Sequence, residues 1–481
     1  MKARSYPQWL LGVFALSSCL AMVNVAKAEV SLPSIFSSHM VLQQKMPVKI
    51  WGWAEPGEKV AVTLGDAKAE ATAGADKKWK VEVACPAVGG PYALTVEGKN
   101  KIELTDILVG EVWVASGQSN MQWSISQSLN PEEEIKAANF PNIRLFSVTR
   151  KVAAAPQENC EVTPWAPCTP ETAKEFSAVA YFFGRKLHQD LNVPVGIINT
   201  SWGGTLCEAW TSKPTLESDP DFKEILDRGA EFKDGNPNQP AVLFNQMINP
   251  IVPFSIRGAI WYQGESNVGR AEQYVELFPA MIRDWRKHWG QGDFPFIFVQ
   301  LAPYDYDRNN PKSELCELWE SQVKTLKNVA NTGMAVTTDI GDVKDIHPKN
   351  KQEVGRRLAL WALAGTYGKK DVDCCGPLFS HVITEGAKIR VHFHGAEGGL
   401  QVKDEKTLTL FQVAGADGKF VPAKAVIDGE TVVVEAAGVP NPTMVRFAWD
   451  ETSEPALLDA SGLPASPFRS DDLPLATAGR R

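Results

Sequence analysis

An α/β domain built on a parallel sheet, preceded and followed by β-rich regions, is the fold class this sequence predicts. Three observations predict it. Between residues 106 and 370, apolar strand-like runs alternate with runs at helical spacing, the pattern of a parallel sheet covered on both faces. From 30 to 105, and again after Gly376, short runs alternate apolar and polar residues between glycine, proline or charge, as in small β-sandwiches. Finally, 481 residues are too many for one ordinary core, so two or three domains are expected.

The elements follow in chain order. Lys2 and Arg4 precede an apolar stretch from Trp9 to Val25, and Ala26-Lys27-Ala28 has small-x-small spacing. Residues 1–28 therefore read as a secretory signal peptide removed before Glu29, giving an exported, periplasmic or secreted protein. A membrane anchor fits less well, because Ser17, Ser18 and Asn24 interrupt the run. Leu16-Ser17-Ser18-Cys19 also admits a lipidated Cys19. Residues 29–105 form the first β region, with strands expected at 48–53, 60–64, 79–83 and 92–96. Trp51 and Trp53 there are candidates for stacking on sugar, although a tryptophan in a sheet more commonly belongs to the core.

Residues 106–370 carry the α/β unit. Helices are expected at 176–191, 274–289, 314–328 and 351–367, and strands at 107–115, 193–198, 296–301 and 334–338. Residues 376–475 form the second β region, with strands at 388–393, 407–411 and 431–434. The proline-rich tail from Asp459 is expected to follow the surface.

Charge narrows the partners. The formal charge of −8 becomes −11 once Lys2, Arg4 and Lys27 are removed with the leader. An acidic chain without a basic run argues against nucleic acid or anionic lipid. After cleavage seven cysteines remain. Cys160 and Cys168 are the most plausible disulfide pair, and adjacent Cys374-Cys375 lacks zinc-type spacing, so no metal site is expected.

The chemistry concentrates at strand ends. Gly117-Gln118-Ser119-Asn120-Met121 directly follows an apolar run. There, glycine allows a tight turn, and the amides that begin a helix can face an oxyanion. A serine hydroxyl needs a base. Of the seven histidines, His347 follows a strand in an aspartate-rich loop containing Asp339, Asp342 and Asp345, one of which can orient its imidazole. Such a loop can instead bind calcium or cap a helix. Gln263-Gly264-Glu265-Ser266-Asn267 ends another strand: Gln263 can donate to an oxyanion, and Glu265 can bind substrate hydroxyls or orient the base. Gly203 and Gly204 end a fourth strand. Gln118, Asn120, Glu265 and Asn267 are the expected substrate contacts.

These blocks, with Asp345-Ile346-His347-Pro348 and the early 36–43 segment around His39, resemble the signature blocks of sialate O-acetylesterases, within the wider SGNH (GDSL-type) hydrolases. The resemblance covers nearly the whole mature chain. It implies a flavodoxin-like hydrolase domain, Ser119 as nucleophile and His347 as base. It also implies an oxyanion hole from Ser119, the Gly203–Gly204 pair and Gln263, and an O-acetylated sugar as substrate without metal or organic cofactor. The resemblance departs at one point. The acid of that clan stands three residues before the histidine, where this chain has Lys344, so Asp345, the preferred candidate, or Asp342 must serve, or a Ser–His dyad. Acetyl-xylan or xyloglucan esterases share the same blocks. A non-catalytic carbohydrate-binding protein is the alternative from another class.

Overall fold

The computed structural model describes residues 1–3, 29–306, 313–405 and 407–481. Residues 4–28, which hold most of the expected leader and Cys19, lie outside the described residues. The sheet at the centre is organised around one long strand, β1 (Lys101–Gly117), whose last eleven residues are all buried. Its first half pairs antiparallel with Gly89–Glu97 of the N-terminal β region, and Val41–Gln43 joins it in parallel at Leu108–Gly110. Its second half is the middle strand of the α/β sheet. The boundary expected at 105/106 therefore falls inside a continuous strand, and one hydrophobic core runs from Val30 to Leu363.

Six further strands complete the sheet: β2 (Phe140–Val148), β3 (Val162–Cys168), β4 (Val195–Ser201), β5 (Gly258–Tyr262), β6 (Phe296–Val299) and β7 (Thr332–Ala335), in the spatial order β7-β6-β5-β1-β4-β2-β3. All neighbours are parallel except β2 and β3. Without that edge hairpin, the five remaining strands have the 2-1-3-4-5 order of flavodoxin-like sheets, whose ligands sit where the order reverses.

Helices cover the sheet as the strand order requires. Strands progress in opposite directions from β1, and right-handed crossovers then place helices on both faces. Helix α1 (Ser119–Gln122) is a single turn. Helix α2 (Ala178–Leu191) is capped by Ser177 and packs Phe183 edge-on against Trp113, 5.0 Å between rings. Helix α3 (Ala271–Trp289) sets Phe278 and Trp285 against Trp261 on the opposite face, and α4 (Glu314–Asn328) lies beside it. Helix α5 (Lys351–Trp361) returns to α2, where Gly355 permits close approach: a Cβ there would lie 2.6 Å from Phe182 Cβ.

The N-terminal region adds the ribbon 48–53 with 78–83 and the strands 59–64, 67–72 and 89–97. Trp51 and Trp53 are half-buried. Trp51 packs on Phe36, and the Trp53 indole donates to Glu158. After Gly376, two four-stranded antiparallel sheets enclose a second core around Phe411, Phe447 and Phe468.

Several expectations differ. Residues 407–410 are not a strand; Leu410 takes φ +69°, which ends pairing, and the strand is Phe411–Ala414. The tail is partly buried: Glu317 accepts from the amides of Ala476 and Thr477, and Thr477 is fully enclosed. Cys160 and Cys168 do not pair; all seven described cysteines are free. The reason is extension, because β3 holds Cys168 at its far end while Cys160 precedes its start. Eight residues at about 3.3 Å each separate them far beyond disulfide reach. Among the described residues no helix is long and apolar enough to cross a membrane, and no cluster of metal-binding side chains occurs.

Candidate active site

Register assembles the site. Gly117 pairs with Ser201 on one side and Tyr262 on the other, so the loops starting at 118, 202 and 263 leave the sheet side by side at its carboxyl edge. Gly117 has φ +136°, and a Cβ there would lie 2.1 Å from Tyr262 O. Only glycine fits. The Gln118 amide donates to Tyr262 O at 2.9 Å and the Trp202 amide to Gly117 O at 3.0 Å, tying the three loops together. Ser119 then opens α1, half-buried, with its own amide outside the backbone ladder.

The histidine loop crosses from β7 back to this edge. Arg357 anchors its start by bonding Val336 O and both Asp339 oxygens. At its end, the Asn120 side chain donates to Ile346 O at 2.9 Å, and Trp123 stacks on His347 with ring centres 4.4 Å apart. Residues flanking Ser119 thus hold both sides of His347, 228 positions downstream. Burial lowers the His347 pKa, helped by the positive charge of Lys351 and opposed by Asp345. Asp345 Oδ1 stands 4.0 Å from His347 Nδ1, outside hydrogen-bond range, and accepts instead from the His347 backbone amide at 2.9 Å.

The glycine pair lies close to the serine. An added Cβ on Gly203 would be 3.1 Å from Ser119 Cβ, and the Gly203 amide donates to Gln122 Oε1 at 2.7 Å. Gly204, exposed at φ +73°, carries an amide without a backbone partner.

Gln263 is fully enclosed. Its amide donates to Thr205 O and Asn267 Oδ1, and its oxygen accepts from Tyr274. Gln118, Asn120, Glu265 and Asn267, expected in contact with substrate, are likewise buried. Gln118 accepts from the amides of Gly264 and Ser266, and Asn267 bonds Cys207 and Glu208. Their polar atoms are directed to protein partners because strands ending in register leave loop amides that need acceptors. One oxygen, Glu265 Oε2, is buried without a partner, and burial raises the Glu265 pKa.

Sequence reasoning missed Lys351. It opens α5 fully buried, donates to Asn120 Oδ1 and lies 5.3 Å from the centre of the Tyr262 ring. Burial depresses its pKa to about 7 against the pull of Glu265 and Asp345. Its place three residues after Pro348 gave no cue, since a lysine at a helix start normally faces water.

Comparison with known proteins places the chain in a family. Residues 109–364 match the model of a carbohydrate esterase family described as sialic acid-specific acetylesterase. The chain is 30% identical to the mouse sialate O-acetylesterase, over 90% of this chain and 93% of that protein. To the human sialate O-acetylesterase it is 31% identical, over 90% and 91%. A carbohydrate acetylesterase from Xanthomonas citri has a solved structure that superposes with a TM-score of 0.85 at 38% identity, covering 92% of this chain and all of that one.

Proposed function

This chain belongs to the sialic acid-specific acetylesterase family of carbohydrate esterases, and we propose that it removes O-acetyl groups from sialic acids through a Ser119 acyl-enzyme. The ester carbonyl lies against the amides of Ser119 and Gly204, the Gly203 amide being held by Gln122. Ser119 Oγ attacks the carbonyl carbon while His347 takes its proton, and the amides stabilise the oxyanion. His347 then protonates the departing sugar oxygen. Water, deprotonated by the same imidazole, cleaves the acetyl-serine and releases acetate. A base with a lowered pKa is neutral, and so competent, at neutral pH. No step calls for a metal or organic cofactor.

The observation that carries this reading is the double tie between the serine turn and the histidine loop, Asn120 to Ile346 O and Trp123 to the His347 ring. Gln263, with both amide hydrogens engaged, fits a supporting role for the glycine turn better than direct donation to substrate. Acetate release from O-acetylated sialic acid against acetylated xylan tests the substrate. Faster release from xylan would favour a polysaccharide acetylesterase, a reading supported by the Xanthomonas citri neighbour, described only as a carbohydrate acetylesterase. A fluorophosphonate probe that fails to label Ser119 would favour a binding protein. We also propose export directed by residues 1–28. A mature N-terminus at Glu29 is the expected result, and an intact Met1 in the exported fraction would refute it.

A further inference from the structure

We propose that Lys351 is a positioning residue for this hydrolysis: through the Asn120 amide it fixes the His347 loop against the Ser119 turn. The inference rests on the esterase reading above and extends it to a residue that acts through Asn120.

Lys351 occupies its place against two physical preferences. Burying an ammonium is costly, and the first turn of a helix disfavours positive charge. It makes no ion pair within 4 Å among the described residues; its hydrogen bond goes to Asn120 Oδ1. The two Asn120 Nδ2 hydrogens go to Glu265 Oε1 at 2.5 Å and Ile346 O at 2.9 Å.

This arrangement has a direction. In its charged form Lys351 only donates, so it binds the oxygen end of the amide and rejects the nitrogen end. Reversed, the amide would set Nδ2 against Nζ and Oδ1 against a carbonyl and a carboxylate. Lys351, together with the two acceptors opposite, therefore fixes Asn120 with its hydrogens toward Ile346 O, immediately before the base, while Asn120 itself stands immediately after the nucleophile. Glu265, on the far side of the same amide, supplies the compensating negative charge. Without Lys351 the Asn120 oxygen is buried with no donor, the amide is held from one side only, and its hold on Ile346 O, and with it the separation of serine and imidazole, is loosened.

A second consequence separates this role from mere support. The charged groups acting on His347 are Lys351, which depresses its pKa, and Asp345, which raises it; Asp345 and Glu265 act in turn on Lys351. Removing the lysine charge therefore raises the His347 pKa.

The test compares full-length wild type, Lys351→Met and the charge-neutral Lys351→Met/Glu265→Gln on a small acetyl ester across pH, with melting temperatures. The double variant leaves no lone buried charge if the single variant does not fold. The expected result for a folded variant is kcat lower by about 10- to 100-fold with KM within about threefold, since a misplacement near 1 Å costs about that much. The acid limb of kcat/KM should also move to higher pH. A folded variant with wild-type kcat and an unmoved acid limb overturns the proposal. A wild-type protein that fails to hydrolyse acetyl esters would instead overturn the esterase reading beneath it.

Discussion

Replacing Gly203 by alanine adds one methyl group beside the nucleophile. That carbon would lie 3.1 Å from Ser119 Cβ, 3.3 Å from Gln122 Oε1 and 3.4 Å from Ser119 Cα. Carbon atoms prefer about 3.5–4.0 Å, so the turn and the serine must separate by roughly half an ångström. Neither side yields freely. The Gly203 amide is held by Gln122 at 2.7 Å, and the Trp202 amide by Gly117 O at 3.0 Å. Because a 1 Å error costs about 10²-fold in rate, half that displacement predicts a loss of about tenfold. The loss should fall on kcat, since the methyl displaces the attacking oxygen relative to the oxyanion donors. The assay is steady-state hydrolysis of a small acetyl ester, with the rate of fluorophosphonate labelling as a second reading of serine position. Overpacking of this kind costs about 1–3 kcal/mol, so the melting point should fall modestly. Wild-type kcat and labelling rate in a folded Gly203→Ala protein would refute the placement of this turn against the nucleophile.

Other expectations follow from the same coordinates. Asp345→Asn should lower kcat by less than about tenfold, because the carboxylate is too far from Nδ1 to hold it, and asparagine keeps an oxygen for the His347 amide. The acid limb of kcat/KM in the wild type should lie below the ordinary imidazole value of about 6.5, and in Asp345→Asn lower still, since the aspartate raises the His347 pKa. A limb above 6.5 in the wild type would contradict this. Arg144→Met should destabilise the protein by about 2 kcal/mol in urea titration. Arg144 is buried and bonds both Asp106 oxygens and the carbonyls of His39 and Pro141, but Asp106 is about one-third exposed, which reduces the cost of a fully buried pair. The Arg144 hydrogen bond holds the Asp106 pKa below its ordinary value of 3.8. This contribution is present above pH 3.8 and is lost as pH falls through the folded-state pKa, so the two proteins should converge in acid. A difference independent of pH would contradict it.

Elements whose burial shows as periodicity were legible in the sequence. The helix expected at 314–328 is α4, and the strand at 296–301 is β6, shortened to Phe296–Val299. The edge hairpin of β2 and β3 was not legible. Pro164 and Pro167 interrupt β3, which as the edge strand has one side without a partner, and Pro141 lies in β2 ahead of its parallel pairing with β4, which begins at Ile143. The serine turn and His347 loop were readable because glycine and strand-end position leave a local pattern. The roles of Asn120, Glu265 and Lys351 were not, because nothing local distinguishes a polar side chain facing a cleft from one turned into the fold. Lys351 follows Asn350, whose side chain caps the helix, and looks like any first-turn residue until the distant Asn120 closes over it. The expected Cys160–Cys168 link failed for the same reason: spacing in sequence carried no information on strand extension.

Acetate release by Ser119→Ala reads the nucleophile itself. With wild-type folding confirmed by melting temperature, the variant is expected to lose at least about 10³-fold in turnover of an O-acetylated sugar and no longer to react with fluorophosphonate. Turnover near that of the wild type would show that the oxygen at position 119 does not attack the ester.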